Sequence, residues 1–342
     1  MEINLLPGPV NIPNSVKNCM LNHPFSHRNS EFTLLYDEIK KHLLTLKMNH
    51  LQIIHGSGTL ANDIVAQQLL GIQKKGLIIN NGEFGKRLVK QAQTAGLIFF
   101  ELQINENENF NIDSLEKSIK HEKFAWIWFV HSETSTGQIN PLREIITLCK
   151  THNILVAVDA ISSIGNFETD FENVDFVTCT SGKGLSSFPG LSIVFFNFIV
   201  NKNVKVHYLN LNYHEEQNNI PFTLSSNQLD ALFEGIKFSL NKTHFGNIQK
   251  IHNEIKKWKF DNFELLNYEK HNPAVHSFRV KNHLDSFEIG NTLSNDNIQV
   301  NYRTRYLIEN NVFQLCFMGN VNKINLERVY QKLNEIDKQN FK

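Results

Sequence analysis

The chain has 342 residues, 41% of them hydrophobic, which is more than a single typical core needs and predicts a globular protein of two subdomains. Lys plus Arg and Asp plus Glu both number 34, so no net field draws the chain to nucleic acid or to an anionic membrane, and any anion must be held by a local site. The longest apolar run, 124–130, falls far short of the roughly 18 residues of a membrane span. The opening "MEINLLPGPV" has no basic region followed by an apolar one, so the cytoplasm is the expected location. Cys19, Cys149, Cys179 and Cys316 stand far apart with no CxxC pair, which argues against a disulfide framework and against a metal site.

Taken in chain order, "LQII" (51–54), "GLIIN" (76–80), "LIFFELQ" (97–103), "AWIWFV" (125–130), "ILVAV" (154–158), "VDFVTC" (174–179) and "LSIVFF" (191–196) read as strands. Most lack polar alternation, as strands covered on both faces do. Helical patterns lie between them, such as "TLANDIVAQQLLG", "GKRLVKQAQTAG" and "PLREIITLCKTHN". Alternation on this scale predicts an α/β fold, with a mainly parallel seven-stranded sheet and helices on both faces. Beyond about residue 235 come "NIQKIHNEIKKWK", "HSFRVK", "IQVNYR", "VFQLCFM" and a last helix "KINLERVYQKLNEIDK", the pattern of a smaller α+β domain. The expected domains are therefore 1–235, large, and 236–342, small, with the N-terminal segment contributing to the small domain or to a subunit contact.

In an open α/β sheet, ligands bind at the carboxyl ends of the strands. Three such ends carry suggestive residues. "LQIIHGSGTLAND" passes from a strand through Gly56, Ser57, Gly58 and Thr59 into a helix, where small residues let backbone N–H groups approach a phosphate. "ILVAVDAISSIG" ends a buried strand in Asp159, a charge that is costly there unless it meets a cation. "TCTSGKGLSSFPG" sets Lys183 as the only charge in its window, after a third strand. Each has a plain alternative: an ordinary strand-to-helix turn, a carboxylate capping a helix, a lysine at a loop tip. A nucleotide-binding reading of "SGKG" fails, because the Walker pattern needs Gly where Val177 stands and Ser or Thr where Gly184 stands.

One chemistry joins the three ends. Pyridoxal 5′-phosphate needs a lysine for its Schiff base, a carboxylate to keep its pyridine nitrogen protonated and a dipole-rich turn for its phosphate. The order turn, aspartate, lysine is that of fold-type I enzymes of this cofactor.

With these residues the chain resembles the class V aminotransferases, in particular the group of alanine- or serine-glyoxylate aminotransferase and 2-aminoethylphosphonate–pyruvate aminotransferase. The resemblance runs through "LPGPVNIPNSV" (6–16), "HGSGTLAND", "NNGEFGKRL" (80–88), "VHSETSTGQINPL" (130–142), "VDAISSIG" and "SGKGLSSFPGLSIV". It implies the fold-type I transferase fold, with Ser57, Gly58 and Thr59 at the cofactor phosphate, Phe84 stacked on the ring, and Thr134 near the ring hydroxyl. Asp159 would sit at the pyridine nitrogen, Ile161 under the ring and Lys183 on the aldehyde. "PFTLSSNQLDAL" (221–232) is similar to the segment that reaches the phosphate of the neighbouring subunit, here through Thr223, which implies a homodimer with shared active sites. His55 and His131 adjoin these motifs and are read as structural.

Two positions depart from the family pattern. Gly182 stands where a Gln or Asn usually precedes the lysine. Gln314, in "VFQLCFMGNV", stands where the family has its substrate-anion arginine, and a neutral amide replaces a bidentate charged pair. Arg28, in "FSHRNSEF", and Arg303 and Arg305, in the strand-like "NYRTRYL", are the candidate replacements. The expected function is ping-pong transfer of an amino group from a small amino acid or aminophosphonate to glyoxylate or pyruvate. A lyase or cysteine desulfurase using the same cofactor, and a degenerate binding protein of this fold, are the alternatives.

Overall fold

A computed structural model describes residues 2–105, 108–266, 268–281, 283–322 and 324–338. The chain opens with a short strand β1 (Ile3–Leu5) and two helices, α1 (Asn14–Cys19) and α2 (Ser30–Leu43). α2 buries Phe32, Tyr36, Ile39 and Leu43, a spacing that places all four on one face of a helix. Strand and helix then alternate: β2 (His50–His55), α3 (Gly58–Leu70), β3 (Gly76–Asn80), α4 (Glu83–Ala95), β4 (Phe99–Gln103), α5 (Ile112–His121) and β5 (Trp126–Val130). A two-residue hairpin, β6 (Ser132–Glu133) and β7 (Gln138–Ile139), leads to α6 (Leu142–Thr151), β8 (Leu155–Asp159), β9 (Phe176–Thr180) and β10 (Leu191–Phe196).

The seven strands expected from the sequence form one seven-stranded sheet in the order β2-β10-β9-β8-β5-β3-β4. Six run parallel, and β10 opposes both of its neighbours, β2 and β9. The reason is the connection: residues 181–190 join β9 to β10 without a crossover helix, and a parallel return needs one. Every residue of β3, β5, β9 and β10 is buried, which explains their unbroken apolar runs. Because β2, β8 and β9 point the same way, their carboxyl ends, with the chemistry-bearing residues, meet at one edge.

After α7 (Leu211–Glu216) and α8 (Ser226–Ser239), a second layer system follows: α9 (Lys242–Ile255), β11 (Phe263–Leu265), β12 (Val275–Val280), α10 (Ser286–Asn295), β13 (Ile298–Val300), α11 (Arg305–Glu309), β14 (Val312–Cys316) and α12 (Leu326–Lys338). The sequence starts its last helix at Lys323, which lies outside the described residues. β11, β12 and β14 form an antiparallel sheet, and β1 pairs in parallel with β13. Ile3, Leu5 and Val10 accordingly share a core with Phe278, Phe313 and Val329, whereas Leu229, Leu232 and Ile236 of α8 pack in the core of the large sheet. No helix among the described residues is long and apolar enough to cross a membrane.

Candidate active site

At the carboxyl edge of the sheet, Ser57, Gly58, Thr59, Phe84, Asp159, Ile161 and Lys183 line one cavity of about 300 Å³. A larger cavity of about 480 Å³, beside Phe110 and Lys270, holds none of these groups and is a surface cleft. Convergence of buried ionisable groups, rather than size, marks the smaller one.

Asp159 ends β8 and is 4% exposed. The amide of Asn62, from α3, donates to its Oδ2 at 2.7 Å, and the Ile161 N–H donates to its Oδ1 at 2.9 Å. Thr178, opposite Asp159 on β9, donates its hydroxyl to the Asn62 carbonyl at 2.7 Å, which fixes the amide with its NH₂ toward the carboxylate. Burial pushes the Asp159 carboxyl up against these hydrogen bonds and the positive charges of Lys183 and Arg87. Asp159 is thus a buried carboxylate, held in orientation by two donors, that opens on the cavity and favours a cation there.

Lys183 sits in the 181–190 connection. Gly184 follows because a Cβ there would strike the Ile164 carbonyl at 2.1 Å, and a Cβ at Gly182 would lie 2.7 Å from the Pro189 Cα. The departure at Gly182 therefore has a packing cause in this chain. The Lys183 ammonium donates to the Ser162 hydroxyl at 2.9 Å and lies 5.2 Å from the centre of the Phe84 ring. Burial lowers its pKa, chiefly by desolvation, with the Asp159 charge working the other way.

The turn after β2 is built for close approach. A Cβ on Gly58 would lie 2.5 Å from the Ile161 Cδ1, so the first residue of α3 packs directly on the residue after Asp159-Ala160. Ser57 is the N-cap of α3, no side chain caps that helix start, and Ser57, Gly58 and Thr59 line the cavity. The set of donors thus fits a pyridoxal phosphate: a helix N-terminus for the phosphate, an aromatic face, a buried carboxylate for a ring cation and a buried amine for the aldehyde.

Thr134 does not line the cavity but donates its hydroxyl to the same Ser162 oxygen at 2.6 Å, one step behind Lys183. Its neighbour Glu133, fully buried, accepts from the Phe84 and Gly85 N–H groups at 3.1 Å each and from the Ser135 hydroxyl and N–H. It caps α4 at its positive end, and Gly82 has no Cβ because one would lie 2.5 Å from the Glu133 carboxyl. Burial raises the Glu133 carboxyl while these four donors oppose the shift.

The remaining candidates lie apart from the cavity. Gln314 is 1% exposed, with its NH₂ on the Thr134 and Ser135 carbonyls at 2.7 and 2.9 Å and its carbonyl accepting from Asn301 at 2.7 Å. It braces the Thr134 turn. The expected strand through Arg303 and Arg305 stops at Val300, because Thr304 caps α11 by accepting from the Leu307 N–H. Arg305 begins that helix 90% exposed and pairs with Glu309, and Arg303 stacks on the Tyr302 ring at 4.9 Å. Arg28 is exposed and donates to the Ile220 carbonyl at 3.3 Å; Thr223 is exposed. His55 accepts from the Ser225 N–H, and burial lowers the pKa of His131 to about 3. Sequence reasoning missed Asn62, Ser162, Glu133 and Arg87. Ser162 and Glu133 lie inside the quoted motifs and needed only a partner search, whereas Arg87 reads in sequence as one more charge on an amphipathic helix.

A sequence profile of the class-V aminotransferase family matches residues 18–302. A 2-aminoethylphosphonate–pyruvate transaminase of Bacillus cytotoxicus is 32% identical over 198 residues, which is 56% of this chain and 54% of that protein. A bifunctional phosphonoacetaldehyde hydrolase/aminoethylphosphonate transaminase of Clostridioides difficile is 30% identical over 203 residues, 57% of this chain and 32% of that one. The matched stretch spans about half the length of these relatives or less. The crystal structure of ureidoglycine-glyoxylate aminotransferase from Bacillus subtilis superposes with a TM-score of 0.91 at 23% identity, covering 98% of this chain and 92% of that one. The cavity geometry, the profile match over most of the chain and the shared fold lead to one conclusion: the chain belongs to the class-V aminotransferase family.

Proposed function

We propose that this protein is a pyridoxal 5′-phosphate-dependent aminotransferase that moves an amino group from a small amino acid or aminophosphonate to a 2-oxo acid such as glyoxylate or pyruvate. The observation that carries the reading is the convergence of a buried lysine and a buried, oriented aspartate on one cavity beside a helix N-terminus. When bound, the cofactor supplies a protonated ring that withdraws electrons from the carbon bearing the transferred nitrogen.

The chain's own residues do the rest. Asp159, its oxygens aimed by Asn62 and the Ile161 N–H, would hold the proton on the cofactor's ring nitrogen. Lys183 would hold the cofactor's aldehyde and, as a free amine, would carry a proton at Nζ between the donor carbon and the cofactor carbon next to the transferred nitrogen; a pKa lowered by burial favours the free amine. Ser162, receiving hydrogen bonds from Lys183 and Thr134, sets where Nζ waits. Phe84 and Ile161 would bound the cofactor's ring, and the Ser57–Thr59 turn would hold its phosphate. In a homodimer of this kind the exposed Thr223 would reach the phosphate site of a second copy of the chain.

Desulfurase chemistry, which needs a mobile, ionisable cysteine, is weakly supported: all four cysteines are buried, with thiols pushed up to about 12 by desolvation, and none lines the cavity. The steric cause of Gly182 likewise removes a reason to read the chain as degenerate. The test has two stages. Borohydride reduction of the cofactor-loaded protein and peptide mapping should place the pyridoxyl label on Lys183. A panel of small amino donors should then change the cofactor absorbance, and glyoxylate or pyruvate should restore it. A label on another lysine overturns the site, and a loaded protein that no donor changes overturns the activity.

A further inference from the structure

The cavity is lined by an arginine, Arg87, that has no hydrogen-bond acceptor among the described residues. Phe84, Arg87 and Gln91 stand on one face of α4, and all three line the cavity with Lys183 and Asp159. The Arg87 guanidinium lies over the Phe84 ring at 4.6 Å. A cation–π contact of this kind uses no N–H donor, so the guanidinium keeps its N–H groups for an acceptor. Gln91, one turn on, donates to the Thr59 carbonyl at 3.0 Å and to Asp63 at 2.7 Å, which ties this face of α4 to the Ser57–Thr59 turn. Among the described residues no carboxylate or carbonyl accepts from Arg87, although Asp159 and Lys183 both feel its charge.

The other arginines considered are engaged elsewhere: Arg28 on the Ile220 carbonyl, Arg303 on Tyr302, and Arg305 on Glu309. Gln314 brings no charge and braces the Thr134 turn. An anion taken into this cavity from water needs a cationic partner, and Arg87 is the arginine that lines it.

We propose that Arg87 is the oxyanion-binding residue of this cavity, presenting the N–H groups of a guanidinium held over Phe84 to either the cofactor's phosphate or the anionic group of the donor. This rests on the cofactor reading above and adds to it the residue that recognises an anion. The two sources of the oxyanion separate experimentally. The apo protein and its R87Q variant are titrated with pyridoxal 5′-phosphate and with pyridoxal, following absorbance. The loaded proteins are titrated with 2-aminoethylphosphonate and with ethanolamine, its analogue without the anion. If Arg87 holds the phosphate, R87Q weakens pyridoxal phosphate at least about tenfold and leaves pyridoxal unchanged. If it holds the donor, R87Q weakens aminoethylphosphonate by about that factor and spares ethanolamine. R87K, which keeps the charge without the fork, should recover part of either loss. R87Q within twofold of the parent in both titrations overturns the proposal. So does equal loss for the charged and uncharged member of each pair, because that is the signature of a disturbed α4. If the parent itself binds no pyridoxal phosphate, the cofactor reading fails, and calorimetry with inorganic phosphate then decides Arg87 alone: binding by the parent and not by R87Q keeps it, and no binding by the parent removes it.

Discussion

Two regions among the described residues gather buried ionisable groups, and one of them lines the cavity described above. At the carboxyl edge of the large sheet, Asp159 and Lys183 open on a shared space bounded by glycines and an aromatic ring. In the second body, His252, His271 and His276 pack on each other with ring centres 5.2 to 5.9 Å apart, and His252 Nδ1 lies 3.0 Å from His276 Nε2. The Nδ1 atoms of His271 and His276 have no hydrogen-bond partner within the described chain, and no group of three or more such residues there has the arrangement to hold a metal. Desolvation moves the pKa values in both regions. Burial perturbs ionisation wherever it occurs; chemistry needs perturbed groups that also converge on a space a ligand can enter.

Removing the groups that face the cavity should sharpen this contrast most. Lys183→Ala is expected to abolish turnover, a loss of about 10³-fold or more, since both the covalent link and the proton carrier go. The fold should survive, because Lys183 lies in a loop whose shape depends on Gly182, Gly184 and Pro189. Steady-state kinetics and thermal melting on the same sample check both halves. Substantial residual turnover, or a chain that no longer folds, would break the distinction between the two regions. Asp159→Asn should follow, slowing the donor half-reaction roughly 10²-fold or more, with each tenfold equal to about 1.4 kcal/mol. Stopped-flow absorbance measures it, and a near-normal rate would reduce Asp159 to the cap that the sequence left open.

Glu133 tests the boundary between the regions, because it is buried like the histidines yet touches the site through backbone. Its carboxylate is surrounded by donors, so Glu133→Gln turns an NH₂ toward other N–H groups and should cost about 1–3 kcal/mol of stability. Because two of those donors belong to Phe84 and Gly85, the cofactor absorbance maximum or affinity should shift as well. A stability loss with an unchanged cofactor titration would class Glu133 with the histidines.

Much of this was legible in the sequence, and the misses have physical causes. The seven central strands stand out because strands covered on both faces cannot carry polar alternation, as in "WIWFV". Only their ends slip: the run "LIFFELQ" is apolar from Leu97, but pairing begins at Phe99, opposite Gly76, and Ile98 is 63% exposed. α2 went unread although Phe32, Tyr36, Ile39 and Leu43 carry a clear helical spacing. β1 has three residues and gains meaning only from β13, nearly three hundred positions later. In the site, residues whose chemistry is unusual for their neighbourhood, Asp159 after "ILVAV" and Lys183 among small residues, were visible. Residues defined by their partners were not: Asn62 turns its amide only because Thr178 is across from it. Gln314 looks like a substrate ligand until Thr134 and Ser135 are seen to accept from it.

The histidine nest supplies the smallest and most specific effect. Burial lowers His252 to about 4 and His276 well below its ordinary value near 6.5, with the neighbouring rings adding to the depression. Because these folded-state values lie below the unfolded one, the unfolded chain takes up protons first as the medium is acidified. The stabilisation is complete above about pH 6.5 and declines as the pH falls toward about 4. Burial pushes His131 the same way, to about 3, so the parent should show a falling melting temperature across this window. His276→Leu keeps the site apolar and removes one of the titrating groups, so its stability should fall less steeply, by up to about 1.4 kcal/mol per pH unit. Denaturant unfolding at a series of pH values measures the difference in slope. Cofactor titration at neutral pH should be unchanged in the same variant, because nothing in the nest lines the cavity. A parallel pair of stability curves would mean that His276 takes up its proton equally in the folded and unfolded chains, so that burial does not hold it neutral. A weakened cofactor would carry more weight, since it would show that the nest reaches the site through the 270–272 segment, whose Asn272 donates to Ser132 and to the Ser162 carbonyl.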